Sequence, residues 1–394
     1  MSRSLLPRLG RPPRRPREHR RPLPASPRLP YAVRHIWDPA TYQGGRRRDH
    51  YFEGWYFKLV DAREEHALAV IPGVALGGAD SEAPHSFVQV NWGRTGASDY
   101  HRFPLSAFDY ERTGFEVRIG PNRFSEHGLD LRLGYTPGEP ASTVEGEVRF
   151  VGTHPWPVSL LSPGIMGWYA FVPFMECYHG VQSLNHTLEG RLRIDGEWVD
   201  FCDGRGYTEK DWGTSFPKAW VWMQTNHFDT QGTSLTASVA DIPWLRGHFV
   251  GHIIGLLHEG RLHRFATYTG ARLTAFDLRE GEVSLEVTSP AERLEIRAYR
   301  RTEAEAVPAP GVLRSPRLGA MTGRIGESLT AAVEVRLCRR VDRRGGSARE
   351  TVVFEGTGRN AGLEIVDSKG LLAAGLGLER GRTAHPAAFD TGAR

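Results

Sequence analysis

No stretch of this chain holds a clean helical period. From about Tyr51 onward it is a succession of short apolar or alternating runs, each ended by Asp, Gly or Pro. YFEGWYFKLVD, HALAVIPGVAL and HSFVQVNWG follow one another in this way. Strands of that length are half-buried ribbons, and turn residues every 8–12 positions join them antiparallel. FEVRIGPNRFSEHGLDLRLGY predicts hairpins at Gly120-Pro121 and Gly128, and LEGRLRIDGEWVDFCDG carries Asp195-Gly196, the strongest hairpin turn in the chain. IIGLLHEGRL predicts another. The proline-broken, aromatic segment 155–174 reads as a loop or short helix across a barrel mouth. The pattern predicts an all-β protein, a barrel or sandwich, and 394 residues are enough for two barrels.

The ends differ from this body. Residues 1–30 contain nine arginines, eight prolines and one glutamate, and no apolar run. They read as a disordered tail, without the apolar core of a secretory signal. Setting them aside turns the formal charge of +4 into about −4, so the body offers no basic face for nucleic acid. The tail leaves peripheral membrane contact open as an alternative to simple solvation. Expected divisions are 1–30 tail, 31–204 first barrel, 205–375 second barrel and 376–394 flexible tail. Three scattered cysteines make neither a disulfide framework nor a zinc site and suggest a reducing compartment, hence a cytoplasmic protein. No run reaches the 18 apolar residues of a membrane-spanning helix.

Most common chemistries are missing. There is no phosphate loop, no nucleophile elbow and no dinucleotide fingerprint. His248 and His252 would lie about 13 Å apart on a strand, too far to share a metal. His179, His186 and His227 have no partner in sequence, and Cys177 reads more simply as a structural thiol than as a nucleophile beside His179. No metal and no cofactor are expected.

Acid chemistry remains, in the segment 204–226, GRGYTEKDWGTSFPKAWVWMQTN. On a strand, Tyr207, Glu209 and Asp211 share one face, about 7 Å apart, while Thr208, Lys210 and Trp212 share the other. Buried beside aromatics, such a carboxyl stays protonated near neutral pH and becomes a proton donor; exposed, the same residues are an ordinary polar strand.

Three segments resemble the tocopherol cyclase family: YFEGWYFKLVD at 51–61, GIMGWYAFVPFMECYHGVQS at 164–183, and EWVDFCDGRGYTEKDWGTSFPKAWVWMQTNHF at 197–228. The resemblance covers roughly residues 31–370. More remotely, the tyrosine-x-acid-basic-x-Trp-Gly pattern is similar to carotenoid hydratases and other lipocalin-like two-barrel proteins. It implies two calycin-like antiparallel β-barrels packed together, with a hydrophobic cavity. The implied reaction protonates the alkene of a prenylated hydroquinone, and the phenol oxygen then closes a chromanol ring, without a cofactor. The implied partner is therefore a hydrophobic isoprenoid.

Carried onto this chain, Glu209 is the acid, Tyr207 orients it or relays the proton, and Asp211 modulates it. Trp212, Trp220 and Trp222 offer π faces to a cation. Gln224 and Asn226 continue the Trp220–Trp222 face as a polar end for the quinol head. Glu53, Trp55 and Tyr56 match the first family segment and join the expected substrate-binding lining, as does Trp168 in the mouth loop. Asp211 stands where the plant cyclases carry an amide. The alternatives are a non-catalytic carrier of isoprenoids and an alkene hydratase.

Overall fold

A computed structural model describes residues 35–78, 81–134, 141–301, 308–341 and 349–377. The expected tail at 1–30 and most of the one at 376–394 lie outside them.

Almost every described element is a strand, and the strands form two large antiparallel sheets of twelve and ten. In the first sheet, Phe52–Val60 lies between Ala67–Ala75 and Arg205–Gly213, and Cys177–Ile194 flanks Arg205–Gly213 on the far side. The edge strands Ser98–Pro104 and Phe108–Tyr110 are joined through the short turn Leu105–Ala107, so the sheet curls until its ends meet in the chain. The second sheet repeats this design: its edges Arg261–Ala266 and Arg272–Arg279 are joined through Thr267–Thr269. Curling hides the hydrogen-bonding edges that an open sheet would expose. The predicted turns stand where expected, with Ile119 paired to Asn122, Ile194 to Glu197 and His258 to Arg261.

Alternation along the strands builds three cores. Trp55, Phe57 and Leu59 point into the first sheet's interior, and Val221 and Met223 into the second's. The opposite faces of the same strands, with Tyr56, Tyr207, Trp220 and Trp222, meet in a third core between the sheets. Strands buried on both faces read as continuous apolar runs, as Trp220–Thr225 does.

The boundary expected at 204/205 is displaced. Arg205–Gly213 is hydrogen-bonded into the first sheet on both sides, and the chain crosses to the second between Gly213 and Trp220. Gly204 and Gly206, at the expected boundary, are there for close approach. A Cβ on Gly206 would sit 2.2 Å from the His186 ring, and one on Gly204 would sit 2.4 Å from the Val60 carbonyl.

Candidate active site

Between the two sheets lies a cavity that opens to solvent at one side. Phe52, Tyr56, Glu209 and Asp211 line it from the first sheet, and Trp220, Trp222, Ala240 and Glu364 from the second. The segment 155–174 runs along the mouth and contributes Met166 and Tyr169. Gly54 pairs with Asp211 across the strands, so Phe52–Val60 places no side chain directly opposite that carboxylate.

Glu209 is buried in the middle of this wall. Tyr207 Oη donates to its Oε2 at 2.5 Å, and Trp222 Nε1 donates to the same oxygen at 3.2 Å. His179 Nε2 lies 3.6 Å from Oε2 as well, so Oε1 takes none of these contacts. Burial raises the Glu209 carboxyl; the His179 cation opposes it, Asp211 adds to it, and the result is about 7. Tyr207 is itself buried, also bonds Thr236 Oγ1 at 3.1 Å, and stands behind the acid instead of on the cavity wall.

His179 belongs to the neighbouring strand, where it pairs with Asp211 in register. Its Nδ1 is 2.9 Å from Asp211 Oδ1. Burial alone would lower its pKa, but Asp211 and Glu209 outweigh that and push it up to about 9. At neutral pH the imidazole is therefore a cation bridging two carboxyl groups. Among the described residues, these three are the group whose ligand atoms, all within 4.8 Å of one another, suit a metal ion. Each imidazole nitrogen already faces a carboxylate, so a metal would have to displace the proton first. Cys177 lies beside Asp211, and burial pushes its thiol well up, against a nucleophilic role.

A second set of acids faces the first. Trp220 Nε1 donates to Glu364 Oε2 at 2.7 Å, and Tyr56 Oη donates to Glu327 Oε1 at 2.5 Å. Burial raises both carboxyls, Glu327 to about 7 and Glu364 well above the usual range. Lys58 reaches across the sheets to the Gln224 side chain at 3.0 Å, and burial lowers it to about 7.

Several expected lining residues lie elsewhere. Glu53, Trp55 and Trp212 point into the first barrel because each lies on the face of its strand opposite the cavity residues, Glu53 and Trp55 opposite Tyr56, and Trp212 opposite Glu209 and Asp211. There Lys210 Nζ bonds Glu53 Oε1 at 2.6 Å and sits over both indoles. Gln224 and Asn226 are buried under the sheet contact, where Gln224 receives Lys58 and Asn226 Nδ2 bonds the Gly206 carbonyl at 2.9 Å. Trp168 is on the outer rim, stacked on Tyr169, which is the cavity-lining member of the pair. Trp220, Trp222 and Tyr56 do line the cavity.

His179, Glu327 and Glu364 were missed. A lone glutamate inside the apolar run GLEIV was a readable signal for Glu364. His179 carried none, because its partner is 32 residues away in sequence.

Residues 149–366 match the family model described as tocopherol cyclase-like. The chain belongs to that family. The probable chloroplastic tocopherol cyclase of Oryza sativa subsp. japonica is 29% identical over 151 residues, 36% of this chain and 31% of that protein. The chloroplastic tocopherol cyclase of Zea mays is 33% identical over 110 residues, 26% of this chain and 23% of its own. The matched stretch thus spans under a third of either relative. Among solved structures, CghA with Sch210972 aligns at a TM-score of 0.47 and 11% identity, covering 80% of this chain and 88% of that one. In this tocopherol cyclase-like chain, the matched region contains Glu209, His179, Asp211 and Glu364 together.

Proposed function

We propose that this protein is an intramolecular cyclase that protonates the alkene of a prenylated hydroquinone and lets the phenol oxygen close a chromanol ring. The observation that carries the reading is Glu209: a buried carboxyl, held near neutrality at about 7, on the wall of an aromatic cavity.

The chain's own residues divide the work. Tyr207 and Trp222 hold Glu209 Oε2, so Oε1 presents the proton to the alkene. The C–H bond forms as the O–H bond breaks, and a tertiary carbocation remains. Tyr56, Trp220 and Trp222 surround it with π density, worth about 0.5–2 kcal/mol per well-placed dry ring. The phenol oxygen attacks, and its proton passes to Asp211. His179 gives its Nε2 proton to Glu209, 3.6 Å away, and takes the new proton from Asp211 at Nδ1, which restores the acid, the imidazolium and the carboxylate. No proton is gained or lost overall, so the product is an isomer of the substrate.

Incubating the protein with a phytylated benzoquinol tests the reading by product mass. An isomeric chromanol is expected, and Glu209→Gln removes turnover while leaving ligand quenching of the cavity tryptophans close to wild type. Ligand binding without product would make the protein a carrier. A product heavier by one water would make it a hydratase. Full turnover by Glu209→Gln would remove Glu209 from the chemistry.

A further inference from the structure

Turn chemistry usually puts polar residues or glycine at hairpin tips. Several tips here follow that rule, as Asp195-Gly196, Glu259-Gly260 and Glu280-Gly281 show. Two tips near the cavity mouth break it. In the small hairpin Val158–Ser159 to Ser162–Pro163, the turn is Leu160-Leu161, with exposures of 75% and 78%. Between Ser234–Trp244 and Gly247–His258, the turn is Leu245-Arg246, and Leu245 is 81% exposed. Leu245 also has φ of 52°, a left-handed conformation that costs leucine and suits glycine or asparagine. Folding gains nothing from leucine there.

The two tips belong to one surface. Trp37 Nε1 donates to the Leu160 carbonyl at 3.0 Å and its ring packs on Phe171 at 5.6 Å. Phe171 and Trp168 share the short turn Gly167–Phe171, and Trp168 and Phe174 both pack on Trp244, the residue before Leu245. Trp168, Phe171 and Phe174 are all exposed. The patch continues into the cavity, because Met166, Tyr169 and Phe249 line its wall. An exposed apolar surface this continuous marks an interaction site.

We propose that this rim docks on an anionic lipid bilayer, with the Leu160-Leu161 and Leu245 tips in the acyl boundary and the cavity mouth facing the lipid. Charge selects the occupant. Arg246 is exposed at one tip. The nine arginines of residues 1–30 precede His35–Trp37, and Trp37 is itself part of the patch. Arg246 beside exposed leucine and tryptophan, in a chain whose sequence leads into Trp37 through nine arginines, matches anionic headgroups above acyl chains. The proposal stands on the rim and not on the chemistry at Glu209, so the two can fail separately.

The test is co-sedimentation of the full chain with phosphatidylcholine vesicles, with and without phosphatidylglycerol and without substrate. Binding is expected with phosphatidylglycerol, and a Leu160→Ser, Leu161→Ser, Leu245→Asn variant should bind ~10-fold or more weakly, since three leucines no longer leave water. Asparagine suits the left-handed position, so Leu245→Asn alone should keep or raise the melting temperature. Equal vesicle binding by wild type and the triple variant would overturn the proposal and leave the arginines as the sole contact. No vesicle binding, together with a wild-type dimer that the triple variant dissolves, would also overturn it and assign the patch to a second copy.

Discussion

Replacing His179 by glutamine should move the pH dependence of turnover in the alkaline direction. In the proposed reaction Glu209 donates a proton and so acts only while protonated, and the wild-type rate should fall above a pH of about 7. His179 is a cation at that pH and lies 3.6 Å from Glu209 Oε2, where it favours the ionised acid. At an effective dielectric of about 20, two unit charges at that distance interact by roughly 4–5 kcal/mol. Glutamine keeps a donor for Asp211 and removes the cation. Asp211 then stands without its neutralising partner and raises Glu209 further, with the same sign. Solvent at the cavity mouth screens part of this, which leaves a displacement of at least about one pH unit. The maximal rate should also fall, because a weaker acid protonates an alkene more slowly and the proton return through His179 is lost. The assay is kcat/KM against pH with a phytylated benzoquinol kept reduced, alongside infrared titration of the Glu209 carboxyl. A descending limb that stays in place or moves toward acid would refute both the electrostatic argument and Glu209 as the titrating donor.

Glu364→Gln should change turnover by less than about threefold near neutral pH, because burial favours the neutral form of that carboxyl and the amide oxygen still accepts from Trp220. Glu364→Leu strands the indole N–H and should be clearly worse in the same assay. Lys210→Met leaves Glu53 charged and unpaired inside the first barrel and should cost about 3–5 kcal/mol in urea denaturation, with the cavity chemistry untouched in the fraction that folds. The folded-state pKa of His179 is raised from 6.5 to about 9, so its contribution to stability is complete below about 6.5 and lost as pH rises through 9. Denaturation midpoints on either side of that window should converge less in wild type than in His179→Gln. Added zinc should inhibit more strongly at alkaline than at acid pH, since His179 must lose its proton to bind it, and isothermal titration should show the protons released.

Much of this was legible because strand periodicity is strict. Alternation alone put Tyr207, Glu209 and Asp211 on one face and Lys210 on the other, and the folded chain has Glu209 and Asp211 on the cavity wall, Tyr207 bonded to Glu209, and Lys210 inside the first barrel. The same rule, applied to YFEGWYFKLVD, would have separated Tyr56 from Glu53 and Trp55. Family resemblance grouped all three as lining, and only Tyr56 lines the cavity. The 204/205 boundary failed for a related reason: glycine marks both linkers and close contacts, and only packing against His186 and Val60 distinguishes them.

The sequence by itself determined a β protein with punctuated hairpins and the faces of its strands, including the one that carries Tyr207, Glu209 and Asp211. Those properties are local, set by a two-residue period and by turn chemistry. Only the tertiary structure decided that Glu209 would be buried, that His179 would bridge it to Asp211, and that Glu327 and Glu364 would face it from a second sheet. Those contacts join residues far apart in the chain, and the pKa of a carboxyl depends on its distance from water and from other charges, quantities that exist only once the two sheets have closed on one another.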